Sequence, residues 1–318
     1  MRKIAILTSG GDAPGMNACI RAVVRTAIVN DLEVYGIHMG YEGLINGEIH
    51  AMDRRSVSDI IQKGGTILKT ARCPEFKQPE VREKAAKLLS IYGIDGLIVI
   101  GGDGSFMGAR GLAVLGIKTI GIPGTIDNDL AYTDYTIGFD TAQNTIIDAI
   151  NKLRDTSASH QRVSVVEVMG RDCGDLALYS GLAGGATTIL VPEKKMSKEE
   201  TIKTVMEGRK KKKNHNLVVV AEGVGGAYEL AKDIEEISGI ETRATVLGHI
   251  QRGGMPTAFD RVLAARMGHR AVELLLEEKT ARVIGIKNNE IIDMDIYEAL
   301  AIKRTFNEAL YQIAMDMS

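Results

Sequence analysis

The sequence has no tryptophan and only three cysteines among its 318 residues. Cys19, Cys73 and Cys173 are far apart and odd in number. They form neither a metal-ligand spacing nor a disulfide framework, so a reducing cytoplasm is the simplest setting. A formal net charge of −2 gives no overall pull toward nucleic acid or a membrane surface, and neither is expected as a partner. No apolar run approaches the roughly 20 residues of a spanning helix. The chain enters a strand at Arg2–Leu7 with no signal-peptide pattern. No linker, internal repeat or low-complexity segment stands out. With 45% hydrophobic and 25% charged residues, the composition is that of a soluble globular protein. The length suits two domains or one large α/β unit.

What is abundant is glycine, at 35 residues. Short runs of Val, Ile and Leu, bounded by glycine, predict strands at Ile4–Leu7, Val34–His38, Leu97–Ile100, Thr119–Ile122, Val163–Val168, Thr188–Val191, Leu217–Ala221 and Val283–Ile286. Apolar spacings of three and four predict helices at Phe139–Thr156 and Ala258–Leu276. Strands alternating with helices argue for parallel βαβ units, an α/β fold. Composition alone places a domain boundary near Gly138.

Ligands of open α/β sheets bind outside the carboxyl ends of the strands, and there this sequence concentrates unusual chemistry. The first strand runs into Gly10-Gly11-Asp12-Ala13-Pro14-Gly15-Met16-Asn17, a glycine turn before a helix, where backbone N–H groups and the helix dipole receive an anion. It is neither a Walker A loop nor Gly-x-Gly-x-x-Gly. Strand Leu97–Ile100 runs into Gly101-Gly102-Asp103-Gly104-Ser105, with a carboxylate beside the phosphate cradle as a Mg²⁺ anchor. Ser105 reads equally as the N-cap of the next helix. After Thr119–Ile122 comes Gly121-Ile122-Pro123-Gly124-Thr125-Ile126-Asp127-Asn128-Asp129. In an extended backbone Thr125, Asp127 and Asp129 share one side, as a metal site or a general base. An acidic, solvated turn is the alternative. Arg72 reads as a surface charge or, if near the phosphate loops, as a cation suited to charge developing on a transferred phosphoryl group. In the later half, Arg162, Arg171, Arg243, His249 and Arg252 lie near strand ends or turns, where guanidinium groups bind phosphate bidentately, and Glu222 suits sugar hydroxyls. The residues alone lead to Mg²⁺-dependent phosphoryl transfer onto a phosphorylated small molecule.

Gly10–Asn17, Gly101–Ser105, Pro123–Asp129, Met169-Gly170-Arg171 and Gly248-His249-Ile250-Gln251-Arg252-Gly253-Gly254 together resemble the bacterial ATP-dependent 6-phosphofructokinases, in that family's order across nearly the whole chain. The resemblance implies two Rossmann-like three-layer domains with mostly parallel sheets. The larger, ATP-binding one comprises 1–138 plus 252–304, and the smaller, sugar-phosphate-binding one 139–251 plus 305–318. It implies transfer of the γ-phosphoryl group of MgATP to the 1-hydroxyl of fructose 6-phosphate in the cytoplasm. Gly11, Arg72, Cys73, Gly102, Asp103, Gly104 and Ser105 then match the ATP site, with Asp103 on the magnesium side. Asp127 matches the base, and Asp129 is a metal or electrostatic partner. Thr125, Ile126, Met169, Gly170, Arg171, Glu222, His249, Ile250, Gln251 and Arg252 match the sugar-phosphate pocket. Arg162 and Arg243 match residues supplied by a neighbouring subunit of a homotetramer.

Pyrophosphate-using relatives typically carry Asp at position 104 and Lys at 124. Gly104 and Gly124 here favour ATP. Arg21, Arg25, Arg54, Asp59, Arg154, Gly185, Lys211, Lys213, Asn214 and His215 match an effector site for ADP or phosphoenolpyruvate. Thr187 stands where a magnesium-holding acidic residue is common, which implies effector binding through the basic cluster with less dependence on Mg²⁺ or an altered ADP response. NAD and lipid kinases share the Gly-Gly-Asp-Gly turn but leave Asp127, His249 and Arg252 unexplained. A non-catalytic sugar-phosphate sensor leaves the intact Asp103, Asp127 and Arg171 unexplained.

Overall fold

The computed structural model describes residues 1–210 and 216–318. The chain runs through β1 (Lys3–Thr8), α1 (Met16–Val29), β2 (Glu33–Ile37), α2 (Gly40–Asn46), β3 (Ile49–Met52), α3 (Pro79–Tyr92), β4 (Gly96–Gly101), α4 (Asp103–Val114) and β5 (Lys118–Pro123). It continues through α5 (Phe139–His160), β6 (Val163–Val168), α6 (Asp175–Ala183), β7 (Thr188–Leu190), α7 (Lys198–Lys210), β8 (Asn216–Ala221), α8 (Ala227–Ser238) and β9 (Thr242–Val246). It closes with α9 (Ala258–Leu276), β10 (Arg282–Lys287), β11 (Glu290–Asp295), α10 (Ile296–Ala301) and α11 (Glu308–Asp316).

These elements form two compact α/β units. One comprises Met1–Ile126, Leu130–Thr141 and Arg252–Arg304; the other comprises Asp127–Asp129, Ala142–Gln251 and Thr305–Ser318. The chain thus first crosses at Ile126/Asp127, returns at Leu130, and crosses again three residues into α5.

In the first unit the strands are ordered β11-β10-β5-β4-β1-β2-β3, parallel except at the two edges. Every residue of β4 is buried, as the continuous run Gly-Leu-Ile-Val-Ile-Gly requires of a strand covered on both faces. Ala5, Leu7, Leu97 and Val99 pack with Leu89, Phe106 and Leu112 of α3 and α4. The alternate residues Ile4, Ile6, Ile98 and Ile100 are equally buried. Helices α1 and α9 pack closely because Gly268 is bare: a Cβ there would lie 2.8 Å from Ala22 Cβ. The second unit carries an all-parallel sheet, β7-β8-β6-β9, with a core of Val163, Val165, Val218, Val220, Leu230 and Ile234.

Strands β3, β9 and β11, absent from the sequence expectation, are all edge strands with mixed exposure. One buried carboxylate fixes the entry into α5. Asp260 of α9 accepts hydrogen bonds from Gly138 N (2.9 Å), Thr141 N (2.9 Å) and Thr141 Oγ1 (2.5 Å). Burial pushes its carboxyl up to about 6, against the pull of these donors. Among the described residues no helix is long and apolar enough to cross a membrane.

Candidate active site

Three neighbouring parallel strands of the first unit, β1, β4 and β5, end level with one another: Thr8 pairs with Ile100 and Gly101 with Pro123. The chain then leaves the sheet in three adjacent turns. Ser9 N donates to Ile100 O (2.9 Å), Gly124 N to Gly101 O (3.0 Å) and Ser105 Oγ to Ser9 O (3.1 Å). Gly101 has no space for a side chain, since a Cβ would lie 2.5 Å from Ser105 Oγ and 2.6 Å from Ser9 O. At Gly102 and Gly104 a Cβ would meet nothing within 4 Å. Open backbone therefore flanks Asp103 at the start of α4, where N–H groups and the helix dipole favour an anion. Ser105 is not the cap. Gly102 holds that position without a side-chain bond, and the Ser105 hydroxyl ties the β4 turn to the β1 turn. Behind this turn Tyr41 donates to Ser105 O (2.6 Å) and stacks on Phe76, ring centroids 4.0 Å apart.

Around the same edge, Arg252 Nη1 donates to Asp12 O (3.1 Å), and its guanidinium lies where a Cβ on Gly11 would go, 2.4 Å away. Thr70 Oγ1 donates to Gly10 O (2.8 Å), which brings the exposed Arg72 within two residues of the first turn. Cys73 is half-buried, and burial pushes its thiol up. Thr125 is half-buried, with its carbonyl accepting from Thr136 Oγ1 (2.6 Å). Ile126 is fully buried, so its backbone rather than its side chain is available to a ligand. Gly124 has a packing reason of its own: a Cβ would lie 2.7 Å from Ile100 Cγ2 and 3.2 Å from Met16 Cε.

The second unit repeats the design. Val168 of β6 pairs with Ala221 of β8, and Glu167 with Val246 of β9. Their carboxyl ends deliver Met169–Arg171, Glu222 and Gly248–Gln251 side by side. The Glu222 carboxylate accepts from Gly170 N (3.2 Å) and Arg171 N (2.6 Å). Gln251, fully buried, accepts from Met169 N (3.1 Å) and donates to Gly248 O (3.0 Å), leaving His249 and Ile250 exposed on the turn. Arg171 adopts φ 54, a left-handed conformation uncommon outside glycine. Gly223 beside it is obligatory, because a Cβ would lie 2.4 Å from Arg171 O.

This turn aims the Arg171 guanidinium at two carboxylates, with Nε 3.4 Å from Asp127 Oδ2 and Nη1 3.8 Å from Asp129 Oδ2. The Asp127 side chain is 3% exposed and that of Arg171 52%. The strand does not stay extended here, contrary to the sequence expectation. Asn128 takes φ 52 and its amide donates to Asp175 Oδ2 (3.1 Å), so the chain bends between the two aspartates.

Arg162 and Arg243 stand elsewhere. Arg162 precedes β6 and Arg243 pairs with Ser164, near the amino end of the sheet. At about 3.3 Å per residue that is on the order of 15–20 Å from the edge bearing Arg171. Both arginines hold Glu241: Arg162 Nε lies 2.5 Å from Oε2, and Arg243 pairs with Oε1. The Arg162 bond keeps the Glu241 carboxyl below its ordinary value.

Of the candidate effector residues, Arg21 and Arg25 project from α1, and Arg54 and Asp59 are exposed in the connection after β3. In the second unit Arg154 donates to Gly184 O and, at 3.5 Å, to Gly185 O. Thr187 is buried, its backbone N–H donating to Leu217 O (2.7 Å). Lys211, Lys213, Asn214 and His215 lie outside the described residues.

Among the described residues no three His, Cys, Asp or Glu side chains converge to hold an ion by themselves. Asp103 fits a Mg²⁺ shared with phosphates: it is a single exposed carboxylate between two open glycines, and Mg²⁺ is held in kinases by one or two carboxylates plus the nucleotide.

Residues 3–275 match the phosphofructokinase family. The chain is 69% identical to ATP-dependent 6-phosphofructokinase 1 of Clostridium perfringens, over 99% of this chain and 98% of that one. It is 67% identical to the ATP-dependent 6-phosphofructokinase of Clostridium acetobutylicum over the full length of both. Among solved structures, phosphofructokinase from Saccharomyces cerevisiae superposes with a TM-score of 0.90 at 37% identity. It covers 100% of this chain, which spans about half (48%) of the yeast chain. A pyrophosphate-dependent phosphofructokinase from Marinobacter aquaeolei shares the fold, with a TM-score of 0.88 at 23% identity, over 99% of this chain and 92% of that one.

Proposed function

The chain belongs to the phosphofructokinase family and is an ATP-dependent kinase of fructose 6-phosphate in glycolysis; on that premise we propose how its residues divide the work. ATP lies along the turns after β1 and β4, its phosphates on the backbone of Gly11 and Gly102–Ser105. Mg²⁺, when bound with the nucleotide, neutralises phosphate charge, and Asp103 is the residue to hold it. Asp127 takes the proton of the sugar's 1-hydroxyl as that oxygen bonds to the γ-phosphorus and the bond to the β,γ-bridging oxygen breaks, releasing ADP. Arg171 pairs with Asp127 and aims it, with Asp129 as its second anchor. Arg72 meets the charge spreading over the transferred group. Glu222, Met169, Gly170, His249 and Arg252 hold the sugar phosphate.

The observation that supports this reading best is the convergence of Arg171 on Asp127 and Asp129 from a left-handed turn that Glu222 pins. A buried carboxylate with a charged, half-exposed partner suits a general base. The position of Arg162 and Arg243 at the far end of β6 and β9 supports their service to a neighbouring subunit of a homotetramer. The effector reading rests on Arg21, Arg25, Arg54 and Arg154. With Thr187 neutral and buried, activation by ADP depends less on Mg²⁺ than in a Thr187→Glu variant. Initial rates of fructose bisphosphate formation against fructose 6-phosphate, with and without ADP and phosphoenolpyruvate, test both halves. Saturable turnover shifted by either effector is expected. Absence of turnover would overturn the catalytic assignment, and effector-blind kinetics the regulatory one.

A further inference from the structure

Asn17 closes the glycine motif after β1, yet the chemistry proposed above gives it no task. It sits in the first turn of α1 and is 1% exposed. Its side-chain hydrogen bonds all go to one stretch of backbone. Its Nδ2 donates to Lys63 O (3.1 Å) and Gly64 O (3.1 Å), and its Oδ1 accepts from Ile67 N (2.7 Å).

That stretch belongs to residues 53–73, a connection with turns but no helix or strand. Connections longer than about 12–15 residues without regular structure are usually functional or disordered, and this one is stapled to the unit over residues 63–70. Thr66 Oγ1 lies 3.0 Å from Thr8 Oγ1, which donates to Lys69 O (2.8 Å). Lys69 is held at φ 56. Thr70 Oγ1 donates to Gly10 O (2.8 Å). Arg72 follows two residues later. On its other side the stretch seats against the turn carrying Arg252: a Cβ on Gly64 would lie 2.3 Å from Gly254 O. Asn17 is therefore the buried polar hub where the nucleotide turn, the Arg72 connection and the Arg252 turn meet.

We propose that Asn17 is a positioning residue for Arg72, setting the place of its guanidinium during phosphoryl transfer without touching either substrate. This rests on the reading of Arg72 as the residue that meets transition-state charge. An interaction used only in the transition state lowers kcat when lost, whereas KM follows ground-state binding. A misplacement of about 1 Å originating away from the chemistry costs on the order of 100-fold.

The test is a double-mutant cycle on kcat in the full-length enzyme, using Asn17→Ala, Arg72→Ala and the pair. Gly64→Ala, which displaces the same stretch from outside the core, serves as a second entry into the cycle should Asn17→Ala not fold. Asn17→Ala and Gly64→Ala are each expected to lower kcat about 10- to 100-fold, with KM for ATP and fructose 6-phosphate changed less than about threefold. Each loss should shrink to less than about twofold in the Arg72→Ala background. Losses that multiply with that of Arg72→Ala, or that fall on KM alone, overturn the role of Asn17 and leave Arg72 standing. An Arg72→Ala enzyme with normal kcat overturns both.

Discussion

Replacing Asp260 by asparagine tests how the entry into α5 is held, just before the chain passes from the first unit to the second at Thr141/Ala142. The carboxylate accepts three bonds, one on Oδ1 from Gly138 N and two on Oδ2 from Thr141. Asparagine keeps the shape but must turn an NH2 group toward donors on one side, at a cost of about 1–3 kcal/mol. The carboxylate carries a cost of its own. Titrating at about 6 rather than 3.8, it disfavours its ionised form by about 3 kcal/mol, at about 1.4 kcal/mol per pH unit. The sign follows from proton linkage. The folded state binds the proton more tightly, so wild-type stability falls as pH rises from about 4 through about 6. About half of that loss lies between pH 5 and pH 8. Asparagine does not titrate, so the variant should be clearly less stable than wild type at pH 5 and nearly level with it at pH 8. Amide hydrogen exchange at Gly138 and Thr141, corrected for the intrinsic rate at each pH, reads the local opening free energy directly. A gap that is constant or widens with pH would refute a carboxyl raised by burial.

Two further predictions concern glycines. Gly223→Ala places a Cβ 2.4 Å from Arg171 O and 3.2 Å from Pro192 Cγ, so the Arg171 turn must shift. KM for fructose 6-phosphate should rise at least about 10-fold with KM for ATP near normal, and an unchanged sugar KM would contradict the account. Gly104→Asp meets open space in the first turn of α4, where a carboxylate suits the helix dipole. Stability should stay within about 0.5 kcal/mol while KM for ATP rises at least about 10-fold, because the carboxylate competes with phosphate. Unfolding, or unimpaired ATP use, would count against the open-cradle reading.

The sequence made the central strands plain because β4 and β8 are covered on both faces and read as unbroken apolar runs. Helix α9 has the expected bounds, and α5 runs on four residues past Thr156 to His160. Strands β3, β9 and β11 escaped because edge strands mix polar with apolar residues, as in Glu290–Asp295, where Glu290 is exposed and the rest are half-buried. The glycine turns were legible as strand ends followed by helix starts. The pins that shape them were not. Gln251 on Met169, Glu222 on Arg171 and Asn17 on Lys63 are side-chain-to-backbone bonds between residues distant in sequence, and they leave no local pattern. Nor does sequence reveal that Asn128 and Arg171 take left-handed backbones, which is what brings Asp127 and Asp129 to one guanidinium.

Single-turnover and steady-state rates of Asp127→Ser decide whether Asp127 is the base. The expected kcat is lower by about 10²- to 10⁴-fold, the usual worth of a general base, with fructose 6-phosphate still bound because other side chains hold its phosphate. A variant with near-normal kcat would contradict that role.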